Sequence, residues 1–161
     1  MQILILFTSK YGATEKALKL VAEGLKGQVD MIDIEEEACG EINQYDTIIF
    51  GGSIYVGKIQ SKIIKFMEKH KKTLIDKNIA LLISSKDGGE KISEFLEFNY
   101  PQWIVEQAFI KEGLGYEISI EKMSFYDKFV LKNLFKIEES DSKINYDVIK
   151  KIIDIINQME A

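Results

Sequence analysis

Apolar residues fall into short unbroken runs separated by longer stretches in which they recur every three or four positions. Ile3 to Phe7 is the first run, ended by Thr8 and Ser9, and an unbroken apolar run fits a strand covered on both faces, as in parallel sheets. Across Ala13 to Leu25 the positions Ala17, Leu18, Val21, Ala22 and Leu25 share one helical face, with Glu15, Lys16, Lys19 and Glu23 on the other. Further strands are predicted at Val29 to Ile34, at Thr47 to Phe50 closed by Gly51-Gly52, and at Ile79 to Ile83 closed by Ser84-Ser85. Ala108 to Ile110 is the last strand, with Tyr116 to Ile120 as a candidate continuation, and helices are predicted over Ser61 to His70, Lys91 to Phe98, Ser124 to Ile137 and Asn145 to Met159. Strand and helix alternate nearly throughout. This predicts one α/β domain over residues 1–161: a doubly wound sheet of five parallel strands with helices on both faces.

Composition narrows the function more than the fold. The chain has 161 residues, enough for one core and no second catalytic domain of ordinary size. A net charge of -5 argues against nucleic acid, whose phosphates call for a clustered basic surface. All 21 cationic residues are lysine, so a bound anion must be held by backbone N–H groups, hydroxyls or ammonium rather than by a guanidinium fork. Cys39 has no partner for a disulfide, and with His70 it falls short of a zinc site, so a reducing, cytoplasmic setting without structural metal is expected. The apolar opening Met1 to Phe7 reaches polar Thr8 too soon for a signal peptide or a membrane span and reads as a strand.

In open parallel sheets ligands bind beyond the carboxyl ends of the strands, where the strand order reverses. After the first strand comes Ser9-Lys10-Tyr11-Gly12-Ala13-Thr14, a hydroxyl-bearing turn that runs straight into a helix. Free N–H groups of the turn and first helical residues, the helix dipole, and the Ser9 and Thr14 hydroxyls together suit a phosphate; the same residues also suit a plain helix cap beside a tight turn. The third strand ends in Ser53-Ile54-Tyr55-Val56-Gly57, where a small-residue backbone and a flat phenol can make one wall of a slot for a planar ring, or an ordinary glycine turn. Neither G-x-x-x-x-G-K-[ST] nor G-x-G-x-x-G follows a strand, which removes support for nucleoside triphosphates and dinucleotides. A phospho-receiver domain needs clustered carboxylates at the first and third strand ends, and these ends carry Thr8-Ser9 and Gly51-Gly52 instead.

These two loops resemble the flavodoxin family, whose first loop reads S-x-T-G-x-T, with Tyr11 here in place of a hydroxyl residue. The resemblance implies strand order 2-1-3-4-5 and non-covalent FMN. Its phosphate would lie on Ser9, Lys10, Tyr11, Gly12, Ala13 and Thr14, and its ring beside Ser53, Ile54, Tyr55, Val56 and Gly57. Ser85, Lys86, Asp87 and Gly88, after the fourth strand, would close the other side of the ring. Over nearly the whole chain the sequence is similar to the branch containing menaquinone-dependent protoporphyrinogen oxidase. The likeness runs through Gly51 to Lys58, through Phe95-Leu96 with Trp103, and through Tyr126-Asp127-Lys128-Phe129 to Lys132. It departs at Pro101, which precedes the tryptophan, and in having lysine where that branch has arginine.

The resemblance implies a redox flavoprotein whose partner is another redox protein or a quinone or tetrapyrrole substrate. No side-chain acid or nucleophile is then needed, because the flavin carries the chemistry. An enzyme of the protoporphyrinogen-oxidising type and a flavodoxin-type electron carrier are the two readings, with a non-redox scaffold of the same fold as a third. Trp103, Phe98 and Tyr100 are candidates for stacking on the ring, packing being the alternative. Lys128, Lys132 and Lys136 recur every four residues near Phe125, Phe129 and Phe135, which suits contact with membrane headgroups or tetrapyrrole propionates as well as a solvated helix face. Glu35 to Glu37 and Lys69 to Lys72 read as surface ends, with His70 exposed among the latter.

Overall fold

Within each central strand, alternate residues serve two different cores. In the computed structural model, which describes residues 1–55, 57–134, 136 and 140–160, the first strand is β1 (Gln2–Phe7). Its Ile3, Ile5 and Phe7 join one apolar cluster while Leu4 and Leu6 join the other. The same alternation holds in β3 (Thr47–Ser53) and β4 (Asn78–Ser84), where Ile49, Ala80 and Leu82 face one way and Ile48, Phe50, Leu81 and Ile83 the other. Burial on both faces leaves no polar position inside the strand, which is why these elements read as continuous apolar runs.

The sheet has six strands among the described residues, in the order β2-β1-β3-β4-β5-β6, with β2 at Gln28–Asp33, β5 at Ile110–Ile118 and β6 at Asp141–Ile144. The first five are parallel and follow the expected 2-1-3-4-5 order; β6 is an addition, pairing antiparallel with β5 from Gly115↔Ile144 to Ile118↔Asp141. Helices α1 (Ala13–Gly24) and α7 (Tyr146–Met159) cover one face. The other face is covered by α2 (Ser61–Lys69), α3 (Lys71–Leu74), α4 (Glu90–Asn99) and α5 (Gln102–Gln107). The remaining helix, α6 (Phe125–Leu134), follows a short 3-10 turn at Ile120–Lys122.

Three expectations are corrected. The third strand does not stop at Phe50 but runs through Gly51 and Gly52 to Ser53; a Cβ on Gly51 would run into the buried Leu18 side chain of α1, so that glycine serves close helix–sheet packing instead of a turn. The last parallel strand is continuous from Ile110 to Ile118, with a register shift between Ile83 and Ser84 that leaves Leu114, between Gly113 and Gly115, without a partner in β4. The helix expected to reach Ile137 ends at Leu134, and Phe135 and Ile137 lie outside the described residues.

Candidate functional site

The carboxyl ends of β1, β3 and β4 meet where the connections turn to opposite faces of the sheet. A cavity of about 500 Å³ opens there. Of the residues singled out from the sequence, Ser9, Lys10, Tyr11, Ala13, Thr14, Ser53, Ile54, Tyr55, Gly57, Ser85, Lys86 and Asp87 line it. Gly12 does not; it supplies the N-cap of α1 with a left-handed φ of 84°. Gly88 lines the next hollow along the sheet edge, beside the start of α4, and Val56 lies outside the described residues.

The first loop is built to present its N–H groups. Gly12, at the N-cap of α1, has no side chain to accept from the first turn, and the Ser9 hydroxyl does so from outside the helix, as the plain capping reading allows. Glu15 N–H is taken by Ser9 Oγ at 3.3 Å and Lys16 N–H by the Gly12 carbonyl at 3.0 Å. The first amides of a helix have no intrahelical acceptor, so those of Ala13 and Thr14 are left for a ligand. Tyr11 also lines the cavity, and its hydroxyl is buried with no partner among the described residues. A buried hydroxyl without a partner is costly, and an oxyanion held in this loop would satisfy it.

The second loop is held from two sides. Gln60, at the start of α2, accepts from Thr8 Oγ1 at 2.7 Å and donates to Ser53 Oγ at 3.0 Å, tying the ends of β1 and β3 together. Asn99, the last residue of α4, donates to the Gly57 carbonyl at 3.2 Å and accepts from Ile59 N–H at 3.1 Å. Gly57 has φ 73° and open space around its Cβ direction, so the left-handed backbone, not crowding, is what requires glycine. Tyr55 N–H and carbonyl both pair with Lys58, at 2.9 and 3.1 Å, closing the turn. Burial pushes the Tyr55 phenol above the ordinary tyrosine range, with Lys10 opposing the shift, so it stays a proton donor at neutral pH.

The third side comes from Ser85, Lys86 and Asp87, where Ser85 Oγ accepts from Asp87 N–H at 3.2 Å. Apolar lining is added by Ile54, Phe95, Ile118, Met123 and Leu131, which gives a slot with aliphatic and aromatic walls. Sequence reasoning did not single out Phe95, Met123 or Leu131 as site residues, nor Gln60, whose role depends on partners distant in the chain. The aromatic expectations are also corrected: Tyr100 is buried in the core, Trp103 packs against the same cluster with Lys71 over its ring, and Phe98 is exposed; none of them lines the cavity.

Among the residues away from the cavity, His70 is half-buried and stacks on Phe66 at 4.2 Å, where burial lowers its pKa. Cys39 is half-buried, and burial raises its thiol, which suits packing and not nucleophilic attack. The lysine stripe is broken: Lys128 and Lys132 lie on α6, but Lys136 falls beyond the helix with φ 58°. Phe125 and Phe129 are exposed and do not face a core. Among the described residues, no group of His, Cys, Asp and Glu could hold a metal, and no helix is long and apolar enough to cross a membrane.

The family model of the flavodoxin domain matches residues 4–145. An uncharacterised protein of Methanocaldococcus jannaschii is 29% identical over 83% of this chain and 100% of its own length. Among solved structures, rubredoxin oxygen:oxidoreductase from Desulfovibrio gigas shares the fold at 14% identity and a TM-score of 0.60, 98% of this chain spanning only 35% of that protein. A Fusobacterium nucleatum flavodoxin bound to flavin mononucleotide matches at 15% identity and a TM-score of 0.52, over 99% of this chain and 96% of that one.

Proposed function

The chain belongs to the flavodoxin-domain family, and from that premise we propose that it binds FMN in the cavity at the ends of β1, β3 and β4 and passes electrons through it. The observation that carries the reading is the joining of two parts: the Ser9 to Thr14 loop, whose Ala13 and Thr14 amides have no acceptor within α1 and whose buried Tyr11 hydroxyl has no partner among the described residues, and an apolar slot beside it. When bound, the flavin supplies the redox chemistry.

What this chain's residues do is position and tune. The Ala13 and Thr14 amides with the Ser9, Tyr11 and Thr14 hydroxyls hold the phosphate, and Lys10 is the cation nearest to it in sequence, no arginine being available. Tyr55 and Gly57 on one side, and Ser85 to Asp87 on the other, flank the ring, while Phe95, Met123 and Leu131 keep water from it. The test is the visible spectrum of the protein after incubation with FMN and removal of the unbound excess. Retained flavin bands support the reading. Colourless, correctly folded protein moves it to a flavodoxin-like scaffold without redox function.

The substrate end of the reading is an oxidoreductase using a quinone acceptor, with protoporphyrinogen as the donor suggested by the sequence likeness. The observation that favours it over a pure carrier is that the segment bearing Tyr126-Asp127 and Lys132 stands at the cavity, contributing Met123 and Leu131 to its lining. Lys128 and Lys132, beside exposed Phe125, Tyr126 and Phe129, are the surface offered to a tetrapyrrole propionate or to membrane headgroups. Catalytic turnover of protoporphyrinogen with a menaquinone analogue separates the two readings: a carrier exchanges electrons only with a reductase or a partner protein.

A further inference from the structure

Asp127 is the one carboxylate that is buried among the described residues, at 1% exposure. It sits on α6, whose other buried residues are only Val130 and Leu131. Its Oδ1 accepts from the Tyr55 hydroxyl, its Oδ2 lies 2.7 Å from Lys10 Nζ, and its N–H is held by Ser124 Oγ at 3.2 Å. Lys10 Nζ in turn stands 4.9 Å from the Tyr55 ring centre and 5.5 Å from that of Tyr11. One side chain thus joins the first loop, the second loop and the helix that follows β5.

An apolar residue at this position would seat α6 without removing a charge from water, so the carboxylate is a poor choice if the helix only needs to pack. Both of its partners are cavity residues. Tyr55 is one flank of the ring slot, and its hydroxyl is a neutral donor fixed by Asp127. Lys10 is the cation of the anion loop, and the ion pair draws its charge toward α6.

We propose that Asp127 is a positioning residue of the flavin site: from α6 it fixes Tyr55 as the ring's flank, balances the charge of Lys10, and holds α6 closed over the cavity. The flavin part of this rests on the FMN reading above; the closure of α6 does not. Two consequences follow from the charges and bonds. Reduction adds negative charge to the cofactor, so removing the Asp127 charge while Lys10 remains makes the site more positive and raises the reduction potential. Breaking the bonds to Tyr55 and Lys10 leaves α6 seated by two apolar residues, so it opens more often.

The experiment compares the full chain with Asp127→Asn, Asp127→Ala and Tyr55→Phe. In flavin-free protein, hydrogen exchange of the amides of 125–134 is expected to accelerate at least tenfold in Asp127→Ala and less in Tyr55→Phe, with the amides of β1, β3 and β4 unchanged. In FMN-loaded protein, Asp127→Asn is expected to shift the reduction potential upward, and Asp127→Ala to release FMN several-fold faster. Exchange of α6 within twofold of the parent in Asp127→Ala, or an unshifted potential in Asp127→Asn, overturns the assignment. If Asp127→Ala also loosens the strands, the near-isosteric Asp127→Asn and Tyr55→Phe decide by the same α6 exchange. A parent chain that takes up no FMN overturns the cofactor reading instead, and the exchange comparison alone then decides whether Asp127 holds α6.

Discussion

Ile3 to Leu6 of β1 are wholly buried among apolar side chains on both faces, whereas α6, which lines the same cavity, buries Asp127, Val130 and Leu131 and leaves Phe125, Tyr126, Phe129 and Leu134 in solvent. The first region is held by apolar burial that many neighbours share. The second depends on a carboxylate and its two partners. A cavity between them has a rigid floor and a side that a few polar contacts set. The floor can therefore fix where a ligand sits while the α6 side adjusts how it is held.

Substitutions at graded positions sharpen that contrast. Phe50→Ala, in a fully buried side chain of β3, is expected to cost about 3–5 kcal/mol in chemical denaturation, because the central sheet cannot close around the void. Gly12→Ala is expected to cost about 1–2 kcal/mol and to weaken FMN binding. The space around Gly12 is open, so the loss comes from its left-handed backbone alone. Tyr100→Phe should stabilise by about 1 kcal/mol, since the Tyr100 hydroxyl is buried without a partner among the described residues.

The same residue sets a pH dependence. Burial holds the Tyr100 phenol well above the ordinary range, so the folded chain keeps a proton that the unfolded chain releases. Its contribution is full below the unfolded value of about 10 and is lost as pH rises beyond it. Denaturation midpoints measured from pH 8 to 11 should fall less steeply in Tyr100→Phe than in the parent. At the small end, Phe129→Gln on the outer face of α6 should change stability by no more than about 0.5 kcal/mol. A loss comparable to that of Phe50→Ala would mean that α6 belongs to the core after all.

This contrast also explains what the amino-acid pattern revealed. Strands β1, β3 and β4 were legible because burial on both faces writes an unbroken apolar run. The Ser9 to Thr14 loop stands out because its hydroxyls and helix start are consecutive residues, and the structure brings all of it but Gly12 to the cavity lining. Strand β6 leaves no such mark: three of its four residues, Asp141, Ser142 and Lys143, are exposed at the sheet edge, so no apolar pattern picks it out. Helix α5 begins directly after Pro101 and is too short for a periodic stripe to stand out. Gln60, Asn99 and Asp127 act through partners far away in the chain, and nothing in their immediate neighbours announces those partners. The Gly51-Gly52 pair reads as a strand end because close packing, here of Gly51 against Leu18, and a turn ask for the same residue type.

The most direct test of the account is a calorimetric titration of the flavin-free protein with FMN and, separately, with riboflavin. The two ligands share the ring and differ in the phosphate. The account predicts one FMN bound per chain, with riboflavin at least tenfold weaker because it leaves the α1 amides and the Tyr11 hydroxyl unpaired. Equal affinity for both, or no heat with either, would contradict a phosphate site in the Ser9 to Thr14 loop.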